Sequence, residues 1–153
     1  MTHYASVEAL EAAVGGPEEL SEWRTITQER ITLFAEATGD HQWIHTDPER
    51  AAAGPFGGTI AHGFLTLSMI SEMLMGMVTL EGVPMVINYG LDKVRFLSVV
   101  PVDSRIRAST RLSAVARTPQ GVRVSTTVTM EIEGNPKPAM IAESIALFVT
   151  GAE

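Results

Sequence analysis

The most constraining feature of this 153-residue sequence is a predicted helix, from Gly63 to about Met77, that is apolar on nearly every side. A surface helix of a globular protein carries one apolar stripe and is polar elsewhere. A helix without a polar face needs protein around it, so we expect the rest of the chain to enclose this one. The apolar residues run along its whole length: Phe64, Leu65, Leu67, Met69, Ile70, Met73, Leu74 and Met75.

The second half of the chain is predicted to supply that enclosure. Apolar and polar residues alternate in its segments, which is the pattern of strands with one buried and one solvated face. Pro119 and Gly121 fit the turn of a hairpin. The sequence therefore predicts an α+β fold in one domain, residues 1–153, with an antiparallel sheet around a long buried central helix. The predicted strands are Arg105–Ala114, Val122–Glu133 and segments near Val83–Phe96 and Ala139–Thr150.

Shorter helices are predicted in the first half. Thr25 and Gln28 fit a capping box that opens a helix, and Gly39 fits its C-terminal stop. Asp47 and Pro48 fit the N-cap and first position of a brief helix. The segment between these two helices is therefore expected to be a short polar loop.

Composition excludes several classes of function. The chain has 11 Lys and Arg against 18 Asp and Glu, a net charge of −7, which argues against nucleic acid as a partner. It has no cysteine, so disulfide and thiolate chemistry are excluded. The segment Met1–Leu20 does not resemble a secretory signal, and Phe64–Val78 is shorter than the ~20 residues of a membrane span. We expect a cytoplasmic protein that does not enter a membrane.

Asp40 and His45 are two titratable residues of the polar loop that lie five positions apart. On a continuous helix, residues five apart would point about 140° apart, whereas in a turn they can converge. A carboxylate beside an imidazole can hold and deprotonate a water molecule. An Asp near a His in a loop is also common as a capping or surface pair, and spacing alone does not separate the two interpretations.

A second candidate element is the segment Ile60-Ala61-His62-Gly63, which opens the apolar helix. A helix N-terminus offers unpaired N–H groups and a partial positive charge. The Gly63 N–H could therefore bind a thioester oxygen on which negative charge develops. The alternative is a glycine that only permits close packing.

These two segments resemble the MaoC-like (R)-specific enoyl-CoA hydratases. The family signature reads Gly-Asp-x-Asn-Pro-aliphatic-His, then five residues and a small residue. Ala61-His62-Gly63 is similar to the family's helix-opening motif. Gln42-Trp43 replaces the Asn-Pro of the signature and is similar to the nodulation-protein-N-like branch. The matching signature positions are Gly39, Asp40, Ile44, His45 and Ala51.

The resemblance implies a hot-dog fold, usually as a homodimer, and reversible hydration of a 2-enoyl thioester to a (3R)-3-hydroxyacyl thioester. It implies that Asp40 and His45 act on water and that Gly63 forms the oxyanion site. Coenzyme A enters as part of the substrate, with acyl carrier protein as an alternative carrier, and no other cofactor is expected. No metal is expected either, since the histidine spacing matches no familiar zinc motif.

Further residues are candidates for substrate contacts. Lys93 and Arg95 could meet coenzyme A phosphates, with a solvated strand face as the alternative. His62 also has a structural interpretation, as has Ser71, since a helical serine often bonds its own backbone. Trp43 is expected to anchor the loop. The predicted substrate contacts are Gln42, His62, Ser71, Asn88, Lys93 and Arg95.

Two other functions stay open. Hot-dog thioester hydrolases place an acidic residue on the central helix, and Glu72 lies there. The replacement of Asn-Pro by Gln42-Trp43 keeps a non-catalytic acyl-thioester binder in consideration. Release of coenzyme A from a saturated acyl-CoA would indicate the hydrolase, and binding without turnover would indicate the binder.

Overall fold

The structure, a computed structural model, describes residues 2–150. Most of the chain after residue 84 is strand, and the helices precede it, as the sequence predicts. Within the described residues, no helix is long and apolar enough to cross a membrane. The elements are β1 (Thr2–Tyr4), α1 (Val7–Ala12), β2 (Glu19–Leu20), β3 (Arg24–Thr25), α2 (Gln28–Thr38), α3 (Trp43–Thr46), α4 (Pro48–Ala52), α5 (Gly63–Leu74), β4 (Val78–Leu80), β5 (Met85–Phe96), β6 (Arg105–Thr118), β7 (Gly121–Ile132) and β8 (Met140–Val149).

The long strands form one antiparallel sheet in the order β2-β6-β7-β8-β5, and β3 also pairs with β6. The predicted hairpin is confirmed, because β6 and β7 pair from Ile106↔Ile132 to Thr118↔Gly121. A separate two-stranded sheet joins β1 and β4 in parallel, which the sequence did not predict. The fold is α+β, as expected, with the helices ahead of one antiparallel sheet.

Helix α5 packs one face against the concave side of this sheet. Leu65, Met69 and Met73 are each 5% exposed and lie in a core with inward residues of β6, β7 and β8. A second apolar cluster lies farther along the sheet, where Leu10 of α1 meets Leu112 and Phe148. Helix α5 is therefore attached to the sheet at one end of the core, and α1 covers the other end.

Two details of α5 differ from the prediction. The helix ends at Leu74 rather than near Met77, because Met75 is extended and Gly76 has φ +75°. The helix is also not enclosed on every side within the chain, since Phe64 in its first turn is 68% exposed. Phe64 makes an edge-to-face contact with Phe96, with ring centroids 6.0 Å apart, and the other exposed side chains of α5 are the polar Ser68, Ser71 and Glu72.

The start of α2 also differs from the prediction. Its N-cap is Thr27, whose hydroxyl accepts a hydrogen bond from the Arg30 N–H at 3.2 Å, whereas Thr25 belongs to β3. The predicted capping box is therefore wrong, because Gln28 is the first helical residue and its side chain bonds elsewhere. The predicted C-terminal stop is confirmed, since Gly39 adopts φ +78°.

Candidate active site

His45 is the most constrained side chain of the candidate site. It lies in the short helix α3 and is 6% exposed. Its Nδ1 lies 2.7 Å from the carbonyl oxygen of Ile60, which only accepts, so Nδ1 carries the hydrogen and Nε2 keeps a lone pair. Burial holds the pKa of His45 below its ordinary value of 6.5, with only partial opposition from the Ile60 hydrogen bond. The ring is therefore neutral at pH 7 and suited to accept a proton through Nε2.

The backbone of His45 is held by Gln28, a residue that sequence reasoning assigned only to capping. The Gln28 amide donates to the His45 carbonyl at 2.8 Å, and its oxygen accepts from the Thr59 hydroxyl. One side chain thus ties α2, α3 and the segment before α5 together. A signal was present in the sequence: Gln28 precedes Ile31 by three residues and shares the buried face of α2, where a polar residue needs a partner.

His62, the residue before α5, packs directly against His45. The two rings stack with centroids 3.8 Å apart, and the Phe34 ring lies 5.0 Å from His62 on a tilted plane. Nε2 of His62 donates to the carbonyl oxygen of Asp40 at 3.0 Å. Nδ1 is buried and has no hydrogen-bond partner within the described part of the chain. These contacts fix the Asp40 backbone and agree with the structural interpretation of His62.

Asp40 follows the left-handed turn at Gly39 and is exposed. A carboxylate oxygen of Asp40 and one nitrogen each of His45 and His62 lie within 4.8 Å of one another. The predicted convergence of Asp40 and His45 is therefore found in the structure. Two hydrogen bonds of roughly 2.8 Å that meet at a water oxygen span about 4.5 Å, so groups that lie within 4.8 Å of each other can share one water molecule.

The same three residues form a group that could hold a metal ion. In a tetrahedral zinc site the ligand atoms lie roughly 3.3 Å apart, which is inside the 4.8 Å limit that the three residues meet. The spacing along the sequence gave no indication of this cluster, because His62 reaches it only through the fold. The expectation that the protein needs no metal stays a prediction.

Gly63 begins α5 immediately beside the stacked histidines. His62 occupies the N-cap position without a side-chain cap hydrogen bond, and the Gly63 N–H has no acceptor among residues 2–150. A Cβ on Gly63 would lie 3.3 Å from three ring atoms of Phe96. Both earlier interpretations of this glycine are therefore compatible with the structure: a free N–H at a helix N-terminus and close packing against an aromatic ring.

The remaining predicted contacts lie in two places. Ser71, on the exposed face of α5, accepts a hydrogen bond from the Asn88 amide at 3.1 Å. Lys93 is 85% exposed and lies 3.8 Å from Glu143, and Arg95 donates to the Val94 carbonyl on its own strand. Neither cation makes a hydrogen bond or ion pair to the Asp40–His45 pair in the described structure. Their role toward coenzyme A stays a prediction.

Gln42 and Trp43, which replace the Asn-Pro of the family signature, differ in their surroundings. Gln42 is exposed, and its carbonyl accepts from the His45 N–H at 2.9 Å, so its backbone supports α3 whatever its side chain does. Trp43 packs over Gly54, where a Cβ would meet the indole at 3.1 Å, and the Arg50 guanidinium lies 4.4 Å from the ring centroid. Trp43 therefore anchors the loop, as expected.

Glu72, the residue that a hydrolase interpretation requires, is engaged at the surface. Its carboxylate oxygens lie 2.9 Å from Arg24 and 2.8 Å from Arg30. The hydrogen bond from Arg30, followed by that from Arg24, holds the pKa of Glu72 below its ordinary value. The carboxylate is ionised and fully occupied by two arginines, which does not favour a nucleophile or a general base.

Residues 9–133 match the family described as the MaoC like domain, and the chain belongs to this family. It is 54% identical over 150 residues to 3-hydroxyacyl-thioester dehydratase Z of Mycobacterium tuberculosis, which covers 97% of this chain and 99% of that protein. It is 47% identical over 149 residues to nodulation protein N of Rhizobium leguminosarum, with 95% and 92% covered. Both likenesses agree with the resemblance drawn from the motifs.

A solved structure supports the fold assignment. The R-hydratase from Pseudomonas aeruginosa, in its unliganded form, superposes with a TM-score of 0.72 at 22% identity, with 89% of this chain and 82% of that chain covered. At this identity the likeness concerns the fold alone. It confirms the hot-dog architecture that the family resemblance implied, which agrees with the antiparallel sheet and central helix expected from the sequence pattern.

Proposed function

We propose that this protein catalyses the reversible addition of water to a trans-2-enoyl thioester, giving a (3R)-3-hydroxyacyl thioester. The observation that carries the proposal is the convergence of a buried, neutral His45 and the Asp40 carboxylate, whose ligand atoms lie within 4.8 Å of each other. The relative named a 3-hydroxyacyl-thioester dehydratase, 54% identical over nearly the full chain, supports the same reaction class.

In the proposed mechanism the water molecule lies between Asp40 and Nε2 of His45. The water oxygen forms a bond to C3 of the enoyl group while one of its protons passes to the catalytic pair. The C2=C3 electrons move toward the thioester carbonyl, and C2 then receives a proton from the pair on the same side. Asp40 and His45 act as one unit, so the two proton transfers are assigned to the pair and not divided between them.

The negative charge that develops on the thioester oxygen needs a donor. The unpaired Gly63 N–H at the N-terminus of α5 is proposed for this role, because the aligned peptide dipoles add a partial positive charge there. An oxyanion donor of this kind typically contributes about 3–4 kcal/mol to lowering the barrier. Phe96 packs over the same glycine and limits access of water from that side.

We propose that the reaction needs no metal and no cofactor beyond the coenzyme A or carrier-protein part of the substrate. His45 is already activated by burial and by its bond to Ile60, so the chemistry requires no Lewis acid. Gln42, His62, Ser71, Asn88, Lys93 and Arg95 remain predicted substrate contacts. We also retain the prediction of a cytoplasmic location.

We propose that the protein works as a homodimer through β5. This strand is an edge of the sheet, and within the described residues its outer side pairs with no strand. An unpaired, apolar sheet edge favours association. Both faces of β5 are largely exposed even though it carries Met85, Val86, Ile87, Tyr89, Leu91 and Phe96.

The dimer can be tested by light scattering on the eluate of a sizing column. Ile87→Lys combined with Leu91→Lys places two charges on the exposed strand and should give a monomer from a dimeric wild type. A wild-type protein that elutes as a monomer at micromolar concentration would contradict the proposed dimer. The proposed reaction would not be affected by that result.

The reaction is tested with trans-2-enoyl-CoA substrates of increasing length, by loss of the enoyl absorbance and chiral analysis of the product. The expected product is the (3R)-hydroxyacyl-CoA. Saturated acyl-CoAs are incubated in parallel with a thiol reagent. Release of free coenzyme A without hydration would support a hydrolase, and binding without either reaction would support a non-catalytic binder.

A further inference from the structure

A row of hydroxyl side chains crosses the concave face of the sheet beneath the C-terminal half of α5. Thr126 of β7 and Ser144 of β8 are direct cross-strand partners, and Thr110 of β6 lies diagonally beside Thr126. Side chains alternate between the two faces of a strand, and the neighbours two residues away, Val124 and Val128, are buried. The three hydroxyl residues, here called the hydroxyl row, therefore interrupt an otherwise apolar inner surface.

The hydroxyl row separates the two apolar clusters of the core. The cluster under α5 includes Val128 and Ala142, whereas the cluster under α1 includes Val124 and Phe148. Between them lies a cavity of about 350 Å³, lined by the row and by the last turn of α5. This volume falls in the range of small-molecule binding sites.

Two hydroxyls of the row have no hydrogen-bond partner among residues 2–150. Thr110 donates to the Glu19 carbonyl at 3.3 Å. The hydroxyls of Thr126 and Ser144 make no hydrogen bond to any described residue, although both residues line the cavity. Ser71 and Asn88 add a bonded polar pair at its edge. A hydroxyl both donates and accepts, so the wall suits a ligand group of either kind.

The cavity selects against charge. Among its described lining residues there is no acidic or basic side chain. A carboxylate or ammonium group would be desolvated there without a counter-charge, which is costly. A purely hydrocarbon chain would cover Thr126 and Ser144 and leave their hydroxyls without partners, which also carries a cost. A ligand that carries a neutral oxygen, in a hydroxyl or a keto group, can form hydrogen bonds with Thr126 and Ser144 without bringing a charge into the cavity.

We propose that the cavity receives the distal part of the acyl chain and that the preferred substrates carry a neutral oxygen about ten carbons from the thioester carbonyl. This inference rests on the proposed function, because the carbonyl is placed at the Gly63 N–H. Ser71 lies eight residues beyond Gly63 on α5, roughly 12 Å at the helical rise of 1.5 Å per residue. An extended alkyl chain with C–C bonds of roughly 1.5 Å advances about 1.25 Å per carbon, so about ten carbons cover this distance.

The test compares two pairs of matched thioesters. Hydration of trans-10-hydroxydec-2-enoyl-CoA is compared with that of trans-2-decenoyl-CoA, and calorimetric binding of 10-hydroxydecanoyl-CoA with that of decanoyl-CoA. The wild type should favour the hydroxylated member of each pair about threefold to tenfold, the size of one net hydrogen bond. The binding pair reports on the cavity independently of any catalysis.

The variant Thr126→Val with Ser144→Ala removes both free hydroxyls at nearly constant volume and should abolish or reverse the preference. Thr127→Val is the matched control, because Thr127 is exposed on the opposite face of β7 and its replacement should leave the preference intact. Thermal unfolding of each variant confirms that it is folded.

The outcomes separate the two proposals. Equal binding of the hydroxylated and plain thioesters by the wild type would overturn the oxygenated-chain inference, even if both enoyl substrates are hydrated. A preference that survives the double variant would overturn the assignment to the hydroxyl row. Failure to hydrate either enoyl substrate, combined with preferential binding of the hydroxylated acyl chain, would contradict the proposed reaction and keep the binding inference.

Discussion

His62 offers a perturbation whose effects on stability and on activity should separate. His62→Leu removes both ring nitrogens at similar volume. The Asp40 carbonyl loses a hydrogen bond, which costs about 0.5–1.5 kcal/mol, and the lost ring contacts cost about 0.5–1.5 kcal/mol more. The variant also removes the buried, unpaired Nδ1, which recovers about 1–3 kcal/mol. The expected net change in unfolding free energy is therefore within about 2 kcal/mol of zero.

Activity should respond differently, because His62 holds the backbone of Asp40 against the site. A displacement of a reacting group by ~1 Å can reduce the rate by about 100-fold. We expect kcat/KM for enoyl-CoA hydration to fall about 10- to 100-fold in His62→Leu. His62→Gln places an amide donor near the position of Nε2 and should recover much of that loss.

Thermal unfolding and steady-state hydration kinetics on the same preparations test this expectation. At 2–4 °C per kcal/mol for a chain of this size, the melting temperature of His62→Leu should lie within about 8 °C of the wild-type value. A fully active His62→Leu protein would refute the positioning role. A variant that is destabilised by well over ~3 kcal/mol would refute the reasoning about the unpaired nitrogen.

Three further predictions concern pH, the competing hydrolase function and the sheet. Because burial lowers the pKa of His45, the acidic limb of kcat/KM should lie below pH 6.5. The free energy of unfolding should also decrease as the pH falls below 6.5, because the unfolded chain then binds a proton at His45 more readily than the folded protein does. Both effects should be absent in His45→Gln. A limb centred above pH 6.5 would contradict the role of a buried neutral imidazole. Glu72→Gln should leave hydration unchanged and cost no more than about 1 kcal/mol, since exposed ion pairs contribute little; a large loss of turnover would revive an acidic residue on α5 as a catalytic group. Gly121→Ala should destabilise the protein by about 2–5 kcal/mol, because the backbone φ of Gly121 is +140° and a Cβ there would lie 2.1 Å from the Phe148 carbonyl oxygen. Gly58→Ala is the control, since Gly58 has open space around it and its replacement should be nearly neutral. Chemical denaturation of both variants measures the difference.

The parts of the fold that the sequence predicted well depend on local chemistry. Gly39 ends α2 because a left-handed residue is needed there, and Asp47 caps α4 ahead of Pro48 for equally local reasons. The alternation along β6 and β7 reports which side of each strand is buried, and the structure confirms it for most positions. Ala114 is the exception: the β6–β7 register shifts between Leu112 and Ala114, and Ala114 is exposed. Patterns with a period of two or of 3.6 residues suffice for such elements.

The features that the sequence did not predict depend on contacts between distant segments. Gln28 and Thr59 are 31 residues apart, and their bond requires α2, α3 and α5 already in place. The hydroxyl row exists only once β6, β7 and β8 are paired in register. The sequence predicted that α5 is buried on every side, because apolar residues favour burial. The pattern does not say whether the same chain or another one covers each side of the helix.

For the candidate site, the motif indicated Asp40, His45 and Gly63 as candidate catalytic residues, and the structure adds the groups that orient them. Nothing in the spacing indicated that His62 would stack on His45 and bond to Asp40 at the same time. The choice of proton-accepting nitrogen on His45 likewise follows from its contact with Ile60, fifteen residues away. Orientation of catalytic groups is a tertiary property, which single-sequence reasoning reaches only in part.

The most direct test of the proposed reaction is hydration of crotonyl-CoA by wild-type protein, Asp40→Asn and His45→Gln, each shown to be folded by circular dichroism. Rapid loss of enoyl absorbance in the wild type, reduced by at least about 1,000-fold in both variants, is the predicted result, because removal of either member disables the pair as a unit. Undiminished hydration by either folded variant would contradict the assignment of catalysis to Asp40 and His45.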